Sequence, residues 1–185
     1  MIKIAICGNI ASGKSEVEKI LKSLNYKVLD TDDSAHDLLF HAKNTFKNYD
    51  VFKDGEISRS KLGKLVFSNE ELKNKLEDIL HPLIRKEIEK FFTKNNKEKY
   101  VFVAIPLLFE AGMEDLFDKI IFIYSDDELR LKRLISRNGY SEEYAKIRMN
   151  SQMSQDEKIK KSDVVIYNNS GLEDLKLQIL KYLNT

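Results

Sequence analysis

The sequence predicts a three-layer α/β domain built on about five parallel strands. Three observations carry that expectation. Two runs, "YVFVAI" (100–105) and "KIIFIY" (119–124), are apolar at nearly every position, as strands covered on both faces should be. Helical stretches alternate with such runs, the order that winds a parallel sheet. A glycine-containing loop joins the first strand directly to the first helix.

Taken in order, Ile2 to Cys7 is a short run with β-branched residues, and "EVEKILKSL" then sets Val17, Ile20, Leu21 and Leu24 at helical spacing. "YKVLD" reads as a second strand, followed by a helix through Ala35 to Phe40. Between Phe46 and Asn96 the pattern changes. Asp54-Gly55 marks a turn. After it come three helical stretches, "SKLGKLVF", "NEELKNKLEDIL" and "PLIRKEIEKFF", with no convincing strand between them. Pro82 is expected to divide two of them, because proline suits a first helical turn and not an interior. After the two apolar strands, "DELRLKRLISR" and "SEEYAKIRMNSQ" read as helices joined near "NGY". "DVVIY" is the last strand, and "LEDLKLQILKYL" closes the chain as an amphipathic helix.

Composition narrows the function. The 185 residues can bury one substantial core, and 31 Lys+Arg against 30 Asp+Glu leave a formal charge of +1. That balance argues against non-specific nucleic-acid binding as the main task. The lone Cys7 excludes an intramolecular disulfide framework, and His36, His41 and His81 have no metal-ligand spacing. No apolar run approaches the roughly 20 residues of a membrane span, and "MIKIAIC" is too short for a signal segment. A cytoplasmic protein without a membrane partner is expected.

Gly8-Asn9-Ile10-Ala11-Ser12-Gly13-Lys14-Ser15 fits G-x-x-x-x-G-K-[ST] without deviation. Backbone N–H groups of such a loop converge on an anion, and the following helix directs its positive end there. Chance would produce the pattern in about one such chain in a hundred. The expected phosphate set is Gly8, Ala11, Ser12, Gly13, Lys14 and Ser15 with Glu16 beside them. Lys14 would neutralise the β- and γ-phosphates and Ser15 would offer its hydroxyl to Mg²⁺, while the Glu16 carboxylate itself reads as a solvated first-turn group. The motif indicates ATP or GTP without specifying a reaction.

"KVLDTDD" places Asp30, Asp32 and Asp33 within four positions at the end of the second strand. Phosphate-loop enzymes often hold Mg²⁺ through an acid at a strand end. "YVFVAI" ends in Ala104-Ile105-Pro106 with no acid, so this cluster is the candidate source. Asp32 is the residue expected to bind Mg²⁺ through water, to accept the proton of an attacking hydroxyl, or both. Asp30 is expected to orient water or loop backbone, and Asp33 to cap the next helix. Arg133, Arg137 and Arg148 supply movable cations on two joined helices, whose closure would exclude water. A solvated basic face is the plain alternative. His81 reads equally as a packing or capping histidine.

Together with the phosphate loop, "DTD", "AHDLL", "DGEISRSKLGKLVFSN", "LEDILHPLI", "PLLFE", "RMNSQM" and "SDVVIYNNSG" resemble the dephospho-coenzyme A kinase family in order and spacing over nearly the whole chain. The resemblance implies an ATP-dependent phosphotransferase that phosphorylates the ribose 3′-hydroxyl of dephospho-CoA, with Mg²⁺, in the last step of coenzyme A synthesis. It implies a three-layer P-loop NTPase fold, similar to nucleoside monophosphate kinases, in a single kinase domain over residues 1–185. The core would take about 1–45, 98–130 and 160–185, a helical acceptor-binding insertion about 46–97, and a helical lid about 131–159. By position Asp32 is the base; His81, Arg85, Glu110 and Arg148 fall on the acceptor side. Arg137, with Arg133 and Arg148, lies in or beside the lid. Arg133 and Arg137 fall on the ATP phosphates, with Arg137 catalytic alongside Lys14, and Asn168 and Asn169 lie near the adenine. The chain departs from the family at Asn9 and Ala11, where glycines are usual, and at Glu16, where Thr is. A monomer or weak homo-oligomer acting on small molecules is expected.

Other readings remain at this stage. A different kinase acceptor would need a different insertion. A GTPase is disfavoured by the absence of N-K-x-D. A non-catalytic nucleotide sensor would not need the carboxylate cluster.

Overall fold

In chain order the elements are β1 (Ile2–Cys7), α1 (Lys14–Ser23), β2 (Lys27–Asp30), α2 (Thr31–Leu38), α3 (Lys43–Phe46), β3 (Phe52–Lys53), β4 (Glu56–Ile57) and α4 (Arg59–Phe67). There follow α5 (Glu70–Lys94), β5 (Tyr100–Ala104), β6 (Lys119–Tyr124), α6 (Asp127–Asn138), α7 (Glu142–Asn150), α8 (Gln155–Lys160), β7 (Val164–Tyr167) and α9 (Leu172–Leu183). The computed structural model describes residues 1–184 and forms two units, one of 1–29 with 94 onward and one of 30–93.

In the first unit five strands form one sheet in the order β2-β5-β1-β6-β7. The expected parallel α/β sheet is present. Ile4 to Cys7 and Val101 to Ala104 are wholly inaccessible, which is why these strands read as unbroken apolar runs. Val17 and Leu21 of α1 and Leu175 and Ile179 of α9 pack with Ile4, Ile6 and Phe102 from the sheet. Each such side chain contributes about 1.5–3 kcal/mol by leaving water. Parallel register sets Ile6 opposite Ala104, Cys7 opposite Phe122, and Tyr124 opposite Tyr167. The carboxyl ends of β1, β6 and β7 therefore share one edge of the sheet. β1 lies between β5 and β6, so strand order reverses at it, and ligands of open α/β sheets bind at that point.

At the outer end of β7, Gln178 of α9 accepts from the Tyr167 N–H (2.9 Å) and donates to the Tyr167 carbonyl (2.7 Å). One amide side chain thus stands in for the next strand at this residue.

The second unit packs Phe46, Val51, Leu62 and Leu80 with neighbours from α2 to α5. Asp54-Gly55 forms the expected turn. Positive φ at both residues (52° and 81°) is the geometry that Asp-Gly favours in a two-residue hairpin. The turn joins β3 to β4 with Phe52 opposite Ile57, a pair too short to have shown as period-two patterning.

Pro82 does not divide two helices, contrary to expectation; it lies inside α5. A row at four-residue spacing, Leu72, Leu76, Leu80, Ile84, Ile88 and Phe92, runs through it without interruption. Burial at Leu72 and Leu80 before the proline and at Ile88 and Phe92 after it outweighs the lost N–H bond. The helix expected from Ala35 starts at Thr31, and the one expected through Gln152 ends at Asn150. A separate helix, α8, begins after Ser154, where Ser154 and Glu157 form a capping box.

Candidate active site

Gly8 to Ser15 connects β1 to α1 at the shared carboxyl edge of the sheet. Its two required glycines have different physical reasons. A Cβ at Gly8 would lie 2.5 Å from Ser12 Oγ and 2.9 Å from the Ile123 carbonyl. A Cβ at Gly13 would lie 2.0 Å from the Asn168 amide nitrogen, and Gly13 has φ +98°. Ala11 also adopts the left-handed region, φ +63°, at a cost of about 1–2 kcal/mol for a residue with a Cβ.

Three successive carbonyls of the loop are held from outside it. Arg130 Nε donates to Ile10 O (3.0 Å), Arg133 NH1 to Ala11 O (3.4 Å), and Asn168 Nδ2 to Ser12 O (2.8 Å). In a trans peptide the N–H points opposite to the C=O. Fixing Ile10 O and Ser12 O therefore turns the N–H groups of Ala11 and Gly13 the other way. Among the described residues no protein acceptor meets the N–H of Ala11, Gly13, Lys14 or Ser15, whereas Ser12 N–H closes a turn onto Asn9 O (3.0 Å). Unpaired backbone donors ahead of a helix start are the arrangement that receives phosphate.

Residues from α6 to α8 hold the tip of the same loop. The Ile10 N–H donates to Gln152 Oε1 (2.7 Å), and Asn9 Nδ2 donates to Met153 O (2.9 Å). Met153 N donates to Glu110 Oε1 (3.1 Å), and Lys158 Nζ lies 2.8 Å from that oxygen. The Lys158 side chain is fully inaccessible; it is placed for an ion pair with Glu110 and not aligned for a hydrogen bond. Glu110, expected on the acceptor side, is engaged with this segment. Beneath it Cys7 donates to Ile121 O (3.7 Å), and burial pushes its thiol up to about 12, with Lys158 opposing.

Asn168 and Asn169, expected near adenine, brace β6, β7 and the loop. The Asn168 carbonyl accepts from Arg133 NH2 (2.9 Å) and Ser125 Oγ (3.0 Å), and Asn169 Oδ1 accepts from the Asp126 N–H (3.0 Å). Burial lowers the Arg133 guanidinium pKa. Arg137 is exposed, donating to Asn138 Oδ1 (2.9 Å) in the last turn of α6. Lys14 Nζ lies 2.9 Å from Glu18 Oε1, one turn along α1, and the Glu18 side chain is only 6% exposed. Ser15 is exposed in the first turn, and Glu16 pairs with Lys19 at 2.7 Å.

Asp32, His81 and Arg85 belong to the second unit. Asp30, not Asp33, caps α2: its side chain accepts from the Asp32 N–H at 2.9 Å. The helix starts at Thr31, directly after β2, so the first available carboxylate takes the cap. Asp32 and Asp33 then occupy the first turn, where the helix dipole favours negative charge. Asp32 is half-buried and Asp33 exposed; His81, Arg85 and Arg148 are half-buried on α5 and α7.

Sequence reasoning missed Arg130, Gln152, Gln155, Lys158 and Glu18. One signal existed for Arg130. It shares a helical face with buried Leu134, four residues on, so a charged residue stands on an apolar stripe.

The CoaE dephospho-CoA kinase family model matches residues 2–174. The dephospho-CoA kinase of Carboxydothermus hydrogenoformans is 41% identical, covering 97% of this chain and 92% of its own. The crystal structure of TT1252 from Thermus thermophilus superimposes with a TM-score of 0.86 at 35% identity, over 99% of this chain and 96% of that one. Dephospho-CoA kinase from Campylobacter jejuni gives 0.74 at 35% identity, over 98% and 95%.

Proposed function

Since the chain belongs to the dephospho-CoA kinase family, an ATP-using kinase of the last step of coenzyme A biosynthesis, we propose how its own residues divide the reaction between them. The substrates are ATP and dephospho-CoA, and the transfer is from the ATP γ-position to the ribose 3′-hydroxyl.

The observation that carries the reading is the loop whose carbonyls are held outward while, among the described residues, the N–H groups of Ala11, Gly13, Lys14 and Ser15 have no protein acceptor. These donors bind the ATP phosphates together with the positive end of α1. Lys14 leaves Glu18 to meet the charge on the transferring phosphoryl group. Phosphoryl transfer is mainly positioning and charge stabilisation, so this cation is the largest contribution. Asp32 accepts the proton of the acceptor hydroxyl. Arg137, exposed and locally bonded, is the mobile lid cation; Arg133 is assigned to the nucleotide side through the loop. His81, Arg85 and Arg148 bind the acceptor, and Glu110 acts by holding the 151–154 segment. The helical part of about 46–97 is the acceptor-binding insertion, and about 131–159 the lid.

Mg²⁺ fits the groups present. The exposed Ser15 hydroxyl beside the phosphate donors is a hard oxygen ligand, and Asp32 is the acid assigned to help. No cluster of three His, Cys, Asp or Glu occurs among the described residues, so phosphate oxygens would complete the coordination. Bound there, the ion would neutralise phosphate charge. Among the described residues no helix is long and apolar enough to cross a membrane. We assign the enzyme to the cytoplasm as a monomer or weak homo-oligomer, without a nucleic-acid or membrane partner.

A coupled ADP-release assay with and without dephospho-CoA tests the reading. Acceptor-stimulated, Mg²⁺-dependent release is the expected result. ATP binding without acceptor stimulation, or equal turnover on shikimate or nucleoside monophosphates, would overturn it.

A further inference from the structure

We propose that Arg130 is a positioning residue for phosphoryl transfer: its hold on the Ile10 carbonyl keeps the Ile10–Ala11 peptide in the orientation that presents the Ala11 N–H to phosphate. The inference rests on the phosphate-binding reading of the loop given above.

The peptide in question is the one with a reason to turn over. Ala11 is a residue with a Cβ at φ +63°, a region that such residues leave when nothing holds them. Rotating the preceding peptide would relax Ala11 and would swing its N–H out of the phosphate cradle. Arg130 opposes that rotation through Nε to Ile10 O at 3.0 Å. Its guanidinium is itself fixed, since NH1 donates to Asp127 Oδ1 at 2.7 Å. The same oxygen accepts from Gln155 Nε2 at 2.9 Å, which ties the carboxylate to a second side chain. On the other side of Ile10, its N–H is held by Gln152.

The arrangement is costly, which argues that it serves the carbonyl and not packing. Arg130 is only 2% exposed, and among the described residues its buried NH2 has no acceptor. An unpaired buried donor is unfavourable, and an apolar residue would fill the same space without it. Planar arginine is the side chain that can hold a carbonyl and a carboxylate at once in fixed geometry. Nothing places Arg130 on the reacting atoms, so it acts through the loop.

The test is a double-mutant cycle of Arg130→Met and Ala11→Gly, read by steady-state kinetics on MgATP and dephospho-CoA with thermal melting in parallel. Arg130→Met is expected to lower kcat/KM for ATP by about 10²-fold, the scale of a misplaced binding group, with KM for dephospho-CoA within about twofold of wild type. Glycine bears the left-handed conformation without strain, so in the Ala11→Gly background the same change should cost less than about tenfold. An equal loss in both backgrounds would mean a general structural role and would overturn the inference, as would full kcat/KM in Arg130→Met. If Arg130→Met does not fold, Arg130→Lys carries the test under the same criteria, because lysine keeps the charge and lacks the fork. ATP binding by the wild-type protein separates the two levels. Its absence would remove the phosphate reading and this inference with it, whereas its presence with an unaffected variant removes this inference alone.

Discussion

The phosphate loop and the acid cluster after β2 are both short, polar and rich in functional side chains, yet they are ordered in different ways. The loop is held across the sheet: Ile10 by Arg130 and Gln152, and Ser12 by Asn168, partners 120, 142 and 156 residues away. The acid cluster carries a local cap, Asp30 accepting from the Asp32 N–H two residues on. Tertiary bracing gives a site whose donors are aimed before substrate arrives, at the cost of left-handed backbone at Ala11. Local capping gives an acid at a helix start whose position follows α2. Substitutions should therefore act differently in the two places.

The most severe expected effect is at Lys14. Lys14→Ala should lower kcat by about 10⁴-fold, within the range for removing a cation from the transferring phosphoryl group. Next, Asp32→Asn should cut kcat by about 10²–10⁴-fold while ATP binding by calorimetry is largely retained, as for a positioned acid or base. Asp33→Asn, one residue on and exposed, should stay within about threefold; a loss equal to that of Asp32→Asn would show that net charge, not position, matters in the cluster.

Asn168→Ala probes the bracing directly. It strips the Ser12 carbonyl of its partner and should destabilise by about 1–3 kcal/mol, the cost of a buried group left unpaired. Its kinetic loss should fall on KM for ATP and leave KM for dephospho-CoA near wild type. A loss confined to the acceptor would contradict the assignment of Asn168 to the loop. The smallest effect concerns Cys7, beneath the loop. Burial raises its thiol from 9.0 to about 12, so the folded state keeps a proton that the unfolded chain releases above pH 9. This contribution to stability is complete below that pH and is lost as pH rises toward 12. At pH 8 iodoacetamide should label Cys7 at the rate of unfolding; labelling as fast as a free thiol would mean the loop opens.

The comparison also explains what was legible in the sequence. The parallel sheet was legible because Val101 to Ala104 and Ile120 to Ile123 are covered on both faces, and an unbroken apolar run records that directly. The glycines of the loop were legible because steric exclusion at Gly8 and Gly13 permits no other residue. Bonds to distant partners were not. Asn168 was expected near the nucleotide, but its bond to Ser12 O had no signal in the sequence. Glu110 was expected on the acceptor side, but its contacts with Lys158 and Met153 had no signal in the sequence. The Asp30 cap and the continuity of α5 through Pro82 failed for a local reason: propensity suggests where a helix can start or stop, and burial decides where it does.

The Gln178 amide at Tyr167 has a consequence beyond the site. β7 is the last strand of the sheet, and an uncovered edge strand invites a neighbouring chain to add itself through backbone hydrogen bonds. With the Tyr167 N–H and carbonyl already taken by one side chain, an incoming strand would have to break two bonds before making its first there. A glutamine on α9 thus makes strand addition costlier at the end of the strand that carries Asn168 to the phosphate loop.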